Sequence, residues 1–176
     1  EIDPAKFFRI PSIGICRTDI AVPPEKNEIR MLRLLRFDHY RVDLHLFSGD
    51  WQRNAELAVH ESLELGYPIE FALFIDDHAG EQISNFMSWI TERNPSVARI
   101  IILHRSLPST PDQIAREIIP VLRQIHPDIR IATGTNANFA QLNRNRPAET
   151  GNDCISYSIQ PQEHASDNMT LVENLK

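Results

Sequence analysis

A single stretch carries the chain from a strand into a helix: Thr133-Gly-Thr-Asn-Ala-Asn-Phe-Ala-Gln-Leu-Asn-Arg-Asn-Arg-Pro147. It follows the apolar run Ile129–Ala132 and stops at a proline, so the sequence predicts a strand, a polar turn and a helix in that order. Gly134 lets a backbone or a ligand approach closely, and the amides of Asn136 and Asn138 can both donate and accept hydrogen bonds. This chemistry is typical of a polar-ligand site at the carboxyl end of a strand.

The same strand–helix unit repeats along the whole chain. Apolar, strand-like runs begin near residues 12, 40, 69, 100, 129 and 154, with amphipathic helical segments between them. A spacing of about 30 residues is the signature of βαβ units and a parallel sheet. Because no linker or low-complexity segment interrupts the repeat, residues 1–176 are predicted to form one domain.

The pattern within the strands distinguishes an open sheet from a barrel. An open sheet covered by helices on both faces would show strands that are apolar almost throughout. Here one face is apolar and the other is mixed: Val42, Leu44 and Leu46 alternate with Arg41, Asp43 and His45. The sequence therefore predicts an α/β fold of the (β/α)8 TIM-barrel type, with about six of the eight βα units present. The same alternation predicts that Gly134 and Asn136 point into the barrel.

Several residues mark the predicted helix ends. Thr110 is predicted as an N-cap with a capping-box partner at Gln113, and Asp50 as the N-cap of an earlier helix. Gly66 is expected to stop that earlier helix. A last helix is expected to begin near Thr170.

Composition excludes several classes of partner. The net charge is −6, there is no dense Lys/Arg run and aromatic residues are few, so nucleic acid is not predicted as a partner. No apolar run approaches the roughly 20 residues of a membrane span. A metal site formed by Asp43, His45 and His164 is an alternative, but no HxH or HExxH spacing occurs and no metal is predicted. No cofactor is predicted either. Cys16 and Cys154 are expected to be free, buried thiols.

A barrel with six units would leave its first and last strands as unpaired parallel edges. Such edges tend to pair with another chain, which predicts a homodimer through the barrel edges. The chain starts with Glu1 and shows no signal-peptide pattern. A cytoplasmic location is therefore expected, or a periplasmic one if a signal peptide has been removed.

In this architecture, catalytic groups lie at the carboxyl ends of the strands. Those ends carry histidines, carboxylates, amides and an arginine, and we expect these side chains to lie close together at one end of the barrel, called the rim below. The predicted site consists of Asp43, His45, Asp76, His104, Asn136, Asn138, Arg144, Gln162 and His164.

Structural roles are the alternatives for several of these residues. Asp43 could join Arg41 and Glu70 in a buried ion network lower in the barrel. Asp76 could instead cap a helix, and His104 could simply close its strand. Asn138 and Arg144 could cap and solvate the helix that follows the fifth strand.

Three runs of the sequence resemble one family. They are Gly134-Thr-Asn-Ala-Asn-Phe-Ala-Gln-Leu-Asn-Arg-Asn-Arg-Pro147, Tyr40-Arg-Val-Asp-Leu-His-Leu46, and Ser156-Tyr-Ser-Ile-Gln-Pro-Gln-Glu-His-Ala-Ser-Asp-Asn168 followed by Thr170-Leu-Val-Glu173. The chain resembles the D-apionate lactonase family, barrel proteins of bacterial apiose catabolism. The resemblance implies hydrolysis of the lactone of a branched sugar acid, on a barrel related to those of glycoside hydrolases, in proteins longer than this chain.

Position and chemistry suggest the roles in such a reaction. His45 or His164 would activate water, with Asp43 orienting the base and Asn136 and Gln162 donating to the carbonyl oxygen. Sugar hydroxyls would be bound by the other predicted residues, Asn138, Arg144, His104 and Asp76. A glycoside hydrolase is an alternative, although the Asn-Glu pair that many retaining barrel glycosidases carry after the fourth strand is absent. A non-catalytic carbohydrate-binding fragment is the other alternative.

Overall fold

The computed structural model describes residues 10–17, 22–159 and 167–169. Within these residues six strands alternate with five helices. The strands are β1 Gly14–Arg17, β2 His39–His45, β3 Ile69–Ile75, β4 Val97–His104, β5 Arg130–Asn138 and β6 Cys154–Ser158. The helices are α1 Lys26–Leu35, α2 Trp51–Leu65, α3 Ala79–Arg93, α4 Asp112–Ile125 and α5 Phe139–Arg144.

The six strands form one parallel sheet whose order follows the chain, β1-β2-β3-β4-β5-β6. The sheet curls into a half-barrel with helices alternating between its strands. The predicted TIM-barrel-type fold, present as an incomplete barrel of six parallel strands, is thereby confirmed. The helix expected near Thr170 lies outside the described residues.

The two faces of the sheet carry different side chains. Val42 and Leu44 of β2 point toward the helices, where they join a large buried core. The interior face holds a much smaller apolar cluster, which consists of Ala72, Phe74, Ile101, Leu103 and Ala132, with Phe47 and Cys154 packed against it. Polar residues share the interior face with this cluster, as the alternation of the sequence predicts.

Four aromatic rings fix α2 and α3 against the middle of the sheet. The ring of Phe71 in β3 lies 5.5 Å from that of Phe86 and 6.2 Å from that of Trp89, both in α3. Trp51, the first residue of α2, contacts the same two α3 rings at 6.2 and 6.1 Å. Edge-to-face rings at these separations add to the stability gained from apolar burial. The middle of β3 and the start of α2 are therefore packed against α3.

The pairing of β5 with β6 contains an irregularity. Gly134 pairs with Ser156 and Asn138 with Ser158, so that β5 advances four residues while β6 advances two. Gly134 has φ +149°, and a Cβ at that position would lie 2.0 Å from the carbonyl oxygen of Ser156. The bulge adds residues to one strand and interrupts the period of two beyond Gly134, so the inward direction of Asn136 stays a prediction.

Thr110 does not cap α4 as predicted. Pro111 occupies the N-cap position of α4, without a side-chain cap. The buried Thr110 hydroxyl instead donates to the carbonyl of Ile102, at 2.5 Å, and accepts from the backbone N–H of Gly134, at 3.0 Å. The backbone N–H of Thr110 also donates to the Gly134 carbonyl at 2.8 Å. Thr110 therefore joins β4 to β5 beneath the bulge, because two strand groups there need a partner that the ladder does not supply.

We expect Thr110→Val to destabilise the protein by about 2–3 kcal/mol, because both the N–H of Gly134 and the carbonyl of Ile102 would lose the hydroxyl as a partner. Thr110→Ser keeps the hydroxyl and serves as the matched control, with a loss of about 1 kcal/mol from the missing methyl group. Urea unfolding at constant m-value measures both changes. Equal stability of the Val and Ser variants would contradict this role of the hydroxyl.

Other helix ends agree in part with prediction. Gly66 ends α2 in the left-handed conformation, at φ 76°, and its N–H bonds the Ser62 carbonyl at 2.8 Å. Asp50 occupies the N-cap position of the same helix, but its carboxylate accepts from the Ser48 hydroxyl and makes no cap bond.

The two cysteines lie on the first and last strands of the sheet, β1 and β6. Both cysteines are free, but only Cys154 is half-buried, whereas Cys16 is exposed because it lies on the edge strand β1. In the described part of the chain, no helix is long and apolar enough to cross a membrane. The homodimer through the edge strands stays a prediction.

Candidate functional site

An open cleft lies at the carboxyl ends of β4 and β5. It has a volume of about 360 Å³ and is lined by Phe74, by residues 103–109 after and at the end of β4, and by Gly134–Ala137 of β5. The Gly-Thr-Asn run thus forms one wall and the loop after β4 forms the opposite wall. This is the end of the sheet where barrel enzymes place their catalytic groups.

His45 ends β2 on the interior face, in register with Phe74. Its ring centroid lies 4.8 Å from that of Phe74 and 5.3 Å from that of Phe47. The residue is exposed, and within the described part of the chain neither ring nitrogen is hydrogen-bonded. Two aromatic rings therefore fix the imidazole beside the cleft while its nitrogens remain available to water or a ligand.

Asp43 lies on the same face of β2, one inward position below His45. Its Oδ1 accepts a 2.9 Å hydrogen bond from Nε of Arg41. The carboxylate is thus paired with an arginine of its own strand, which agrees with the Arg41–Asp43 part of the ion network considered from the sequence. In this structure the phenylalanine rings hold His45, and Asp43 is held by Arg41.

Asp76 follows β3 and is held by the start of α3. Its Oδ1 accepts from the backbone N–H of His78, at 2.9 Å, and from the amide of Gln82, at 2.7 Å. The His78 N–H, with help from Gln82, lowers the pKa of Asp76 below its ordinary value. Oδ2 lies 3.5 Å from Nη1 of Arg105. Asp76 is therefore a turn-forming carboxylate that stays ionised and faces a cation of the cleft wall.

Arg105 and Phe47 are site residues that the sequence prediction did not include. The Arg105 guanidinium lies 4.2 Å above the centre of the Phe47 ring, and the residue lines the cleft. The signal was present in the alternation, since Arg105 continues the interior positions Ile101 and Leu103 one step beyond β4. The sequence places Arg105 at the end of the fourth strand, but its contacts with Phe47 and Asp76 depend on two other strand ends.

His104 ends β4 in register with Ile75, which belongs to the core between the sheet and the helices. Nδ1 accepts from the backbone N–H groups of Leu107, at 3.1 Å, and Ser106, at 3.3 Å, and Nε2 lies 3.7 Å from Asp77. The buried ring thus organises the loop after β4, which forms one wall of the cleft.

The predicted residues of β5 and α5 have separate positions. Asn136 lines the cleft and is exposed, while its backbone carbonyl accepts from the Ser158 hydroxyl at 3.0 Å. The Asn138 side chain accepts from the N–H of Gln141 at 3.1 Å and so caps α5. Arg144 lies exposed in the last turn of that helix. Only Asn136 of these three borders the cleft.

The last two predicted residues, Gln162 and His164, lie outside the described residues. Among the residues that are described, no group of three or more His, Cys, Asp or Glu side chains could hold a metal ion.

A second polar group lies lower on the interior face. Buried Glu70 of β3 is 3.3 Å from Nε of Arg99 and 3.5 Å from Nε2 of His39, and a separate cavity of about 310 Å³ borders all three. Glu70 therefore pairs with Arg99 and His39, while Arg41 pairs with Asp43. The single network envisaged from the sequence is divided into two, because the neighbouring strands supply closer partners.

Comparison with known proteins identifies the family. A family model described as "D-apionate lactonase, TIM barrel domain" matches residues 13–176. Comparison with curated proteins and with solved structures gave no match. The matched region covers all six strands of the half-barrel, and the relationship supports a lactonase-like role. The chain therefore belongs to the D-apionate lactonase family and corresponds to its TIM barrel domain from residue 13 to residue 176.

Proposed function

We propose that the protein hydrolyses the lactone of a branched sugar acid such as D-apionate, in bacterial carbohydrate catabolism. One observation supports this most directly: an exposed imidazole, that of His45, stands on the interior rim beside a polar cleft. Family membership supplies the reaction class. The rim supplies a group that can activate water in such a reaction.

The proposed reaction begins when a nitrogen of His45 takes a proton from a bound water. The water oxygen attacks the lactone carbonyl, and the carbonyl electrons move onto its oxygen. As the tetrahedral intermediate collapses, the bond to the ring oxygen breaks, and that oxygen leaves as a hydroxyl after receiving the proton from the imidazolium. The product is the open-chain hydroxy acid, which is ionised at neutral pH.

The oxyanion needs fixed hydrogen-bond donors. Asn136 borders the cleft and carries an amide that can donate, so we assign it this role, together with Gln162 from the sequence prediction. The rings of Phe47 and Phe74 hold the base in place, which reduces the entropy lost on reaching a reactive geometry. His164 is the second candidate for the base.

The carboxylates of the rim disfavour a two-carboxylate glycosidase in the described part of the chain. Asp43 pairs with Arg41, and Asp76 accepts two hydrogen bonds through one oxygen and faces Arg105 through the other. A glycosidase needs one carboxylic acid that retains its proton near neutral pH. Hydrogen bonds that stabilise the ionised form of Asp76 act against such a role.

The test is hydrolysis of D-apionolactone by the chain, followed by acid release in a pH-stat above the spontaneous rate. Saturable acid release with no reducing sugar from aryl glycosides is the expected result. Release of reducing sugar would favour a glycoside hydrolase. Calorimetric binding of sugars without turnover of either substrate would favour a carbohydrate-binding role, and both results would contradict the proposal.

A further inference from the structure

Arg105 is fixed between two groups at the edge of the cleft. Its guanidinium lies 4.2 Å over the ring of Phe47, and Nη1 lies 3.5 Å from Oδ2 of Asp76. Its backbone N–H is also fixed, since it donates to the carbonyl of Ile75 at 2.9 Å. About half of the side chain, 49%, is nevertheless exposed. A guanidinium has five N–H donors, so the contact with Asp76 leaves others for a ligand in the cleft that Arg105 lines.

The groups that hold Arg105 are themselves held. Asp76 is fixed by the N–H of His78 and by Gln82, whose amide oxygen in turn accepts from the N–H of Asp76 at 3.1 Å. Phe47 packs against the interior cluster and contacts the ring of His45. A single aromatic ring therefore touches both the proposed base and the arginine. This arrangement links the cation to the proposed base through one shared ring.

The Arg105–Asp76 contact alone does not explain why the arginine is held. Half-exposed ion pairs contribute little to stability, about 0–1 kcal/mol, and this pair is separated by 3.5 Å. Two other donors already bind Oδ1 of Asp76 and stabilise its ionised form without the guanidinium, which faces Oδ2. Arginine is suited to planar, bidentate recognition of carboxylates and other oxyanions, and a fixed orientation increases that selectivity.

We infer that Arg105 is an anion-recognition residue of the cleft that binds the carboxylate of a small hydroxylated monocarboxylic acid. This inference rests on the proposed function and deepens it, since the same guanidinium would meet the oxyanion of the lactone as it forms and the carboxylate of the product. The site then distinguishes a sugar acid from the neutral sugar alcohol of equal size.

The test is calorimetric binding of D-apionate and of the alcohol in which CH2OH replaces its carboxylate. We expect Arg105→Gln to weaken D-apionate binding by about 10- to 100-fold, the range typical of a hydrogen bond to a charged group, and to leave binding of the alcohol unchanged. Arg105→Lys should recover only part of the affinity, because it keeps the charge and loses the planar fork. Arg116→Gln, on the exposed side of α4, is the matched control and should bind both ligands as the wild type does.

Two results would overturn the inference: equal D-apionate affinity in the wild type and in a folded Arg105→Gln variant, or no D-apionate binding by the wild type. Lactone turnover is measured separately in the pH-stat. Arg105-dependent binding of D-apionate without lactone hydrolysis would contradict the proposed function and leave the anion site in place. Lactone hydrolysis with unchanged product affinity in Arg105→Gln would contradict the anion site alone.

Discussion

His45→Gln is expected to lower kcat/KM for D-apionolactone by about 10²- to 10⁴-fold, the usual contribution of a positioned general base. Glutamine is close to histidine in size and keeps a polar end at the rim, but it cannot take a proton from water near neutral pH. The fold should not change, because the imidazole is exposed and its contacts are the rings of Phe47 and Phe74. The substitution should therefore lower kcat and leave the affinity for the product close to that of the wild type.

His60→Gln is the matched control for His45. His60 is exposed on α2, where it lies 3.8 Å from Glu64 one turn away, and it should be replaceable without loss of activity. The pH profile of kcat/KM provides a second readout, since the limb that reports the ionisation of the base should disappear only in the His45 variant. Full activity of His45→Gln would remove His45 from the mechanism, and His164→Gln would then test the other candidate.

Gly134→Ala is expected to destabilise the protein by roughly 3 kcal/mol or more, from steric overlap and backbone strain together. The new Cβ would lie 2.0 Å from the carbonyl oxygen of Ser156 and 2.8 Å from its nitrogen. These are backbone atoms of the paired strand, so the overlap cannot be relieved by rotating a side chain. Separation of β6 from β5 is the available response, and it would remove the hydrogen bonds of the pair.

Gly80→Ala provides the matched control for this substitution. Gly80 lies in α3 with no atom within 4 Å of its Cβ position, so alanine should stabilise the helix by about 0.5–1 kcal/mol. Urea unfolding gives both free energies, and hydrogen exchange should show faster exchange in β6 of the Gly134 variant. We expect the free energy of unfolding to fall in Gly134→Ala and to rise in Gly80→Ala. A neutral effect of Gly134→Ala would show that the bulge can absorb a methyl group.

Much of the fold could be predicted because the strands repeat with clear chemistry. The run predicted to begin near residue 69 matches β3, which begins at Ile69, since its alternating residues face two different environments. The fourth strand was predicted to begin near residue 100, while β4 begins at Val97. The missing residues include Arg99, whose charge is neutralised by Glu70 of the adjacent strand, a contact that local sequence does not reveal.

The candidate site was predicted less completely, for a related physical reason. The position of His45 follows from a period of two, which holds throughout β2. Beyond Gly134 the period fails, because a bulge depends on the pairing of two strands and leaves no regular signal in either. Thr110 was expected to cap a helix because the motif for a cap is local, whereas its hydroxyl satisfies strand groups that are distant in sequence. Arg105 shows the same limit, since its partners Phe47 and Asp76 come from two other strand ends.

The order of the strands has a consequence for how the protein acquires its structure. Among the described strands, each from β2 to β6 pairs with the strand that precedes it, so each of these pairings closes a connection of roughly 30 residues and needs no more distant segment. During synthesis, each emerging unit therefore finds its pairing edge already made. The sheet can grow in the direction of translation, with only one newly formed edge exposed at that end at any time.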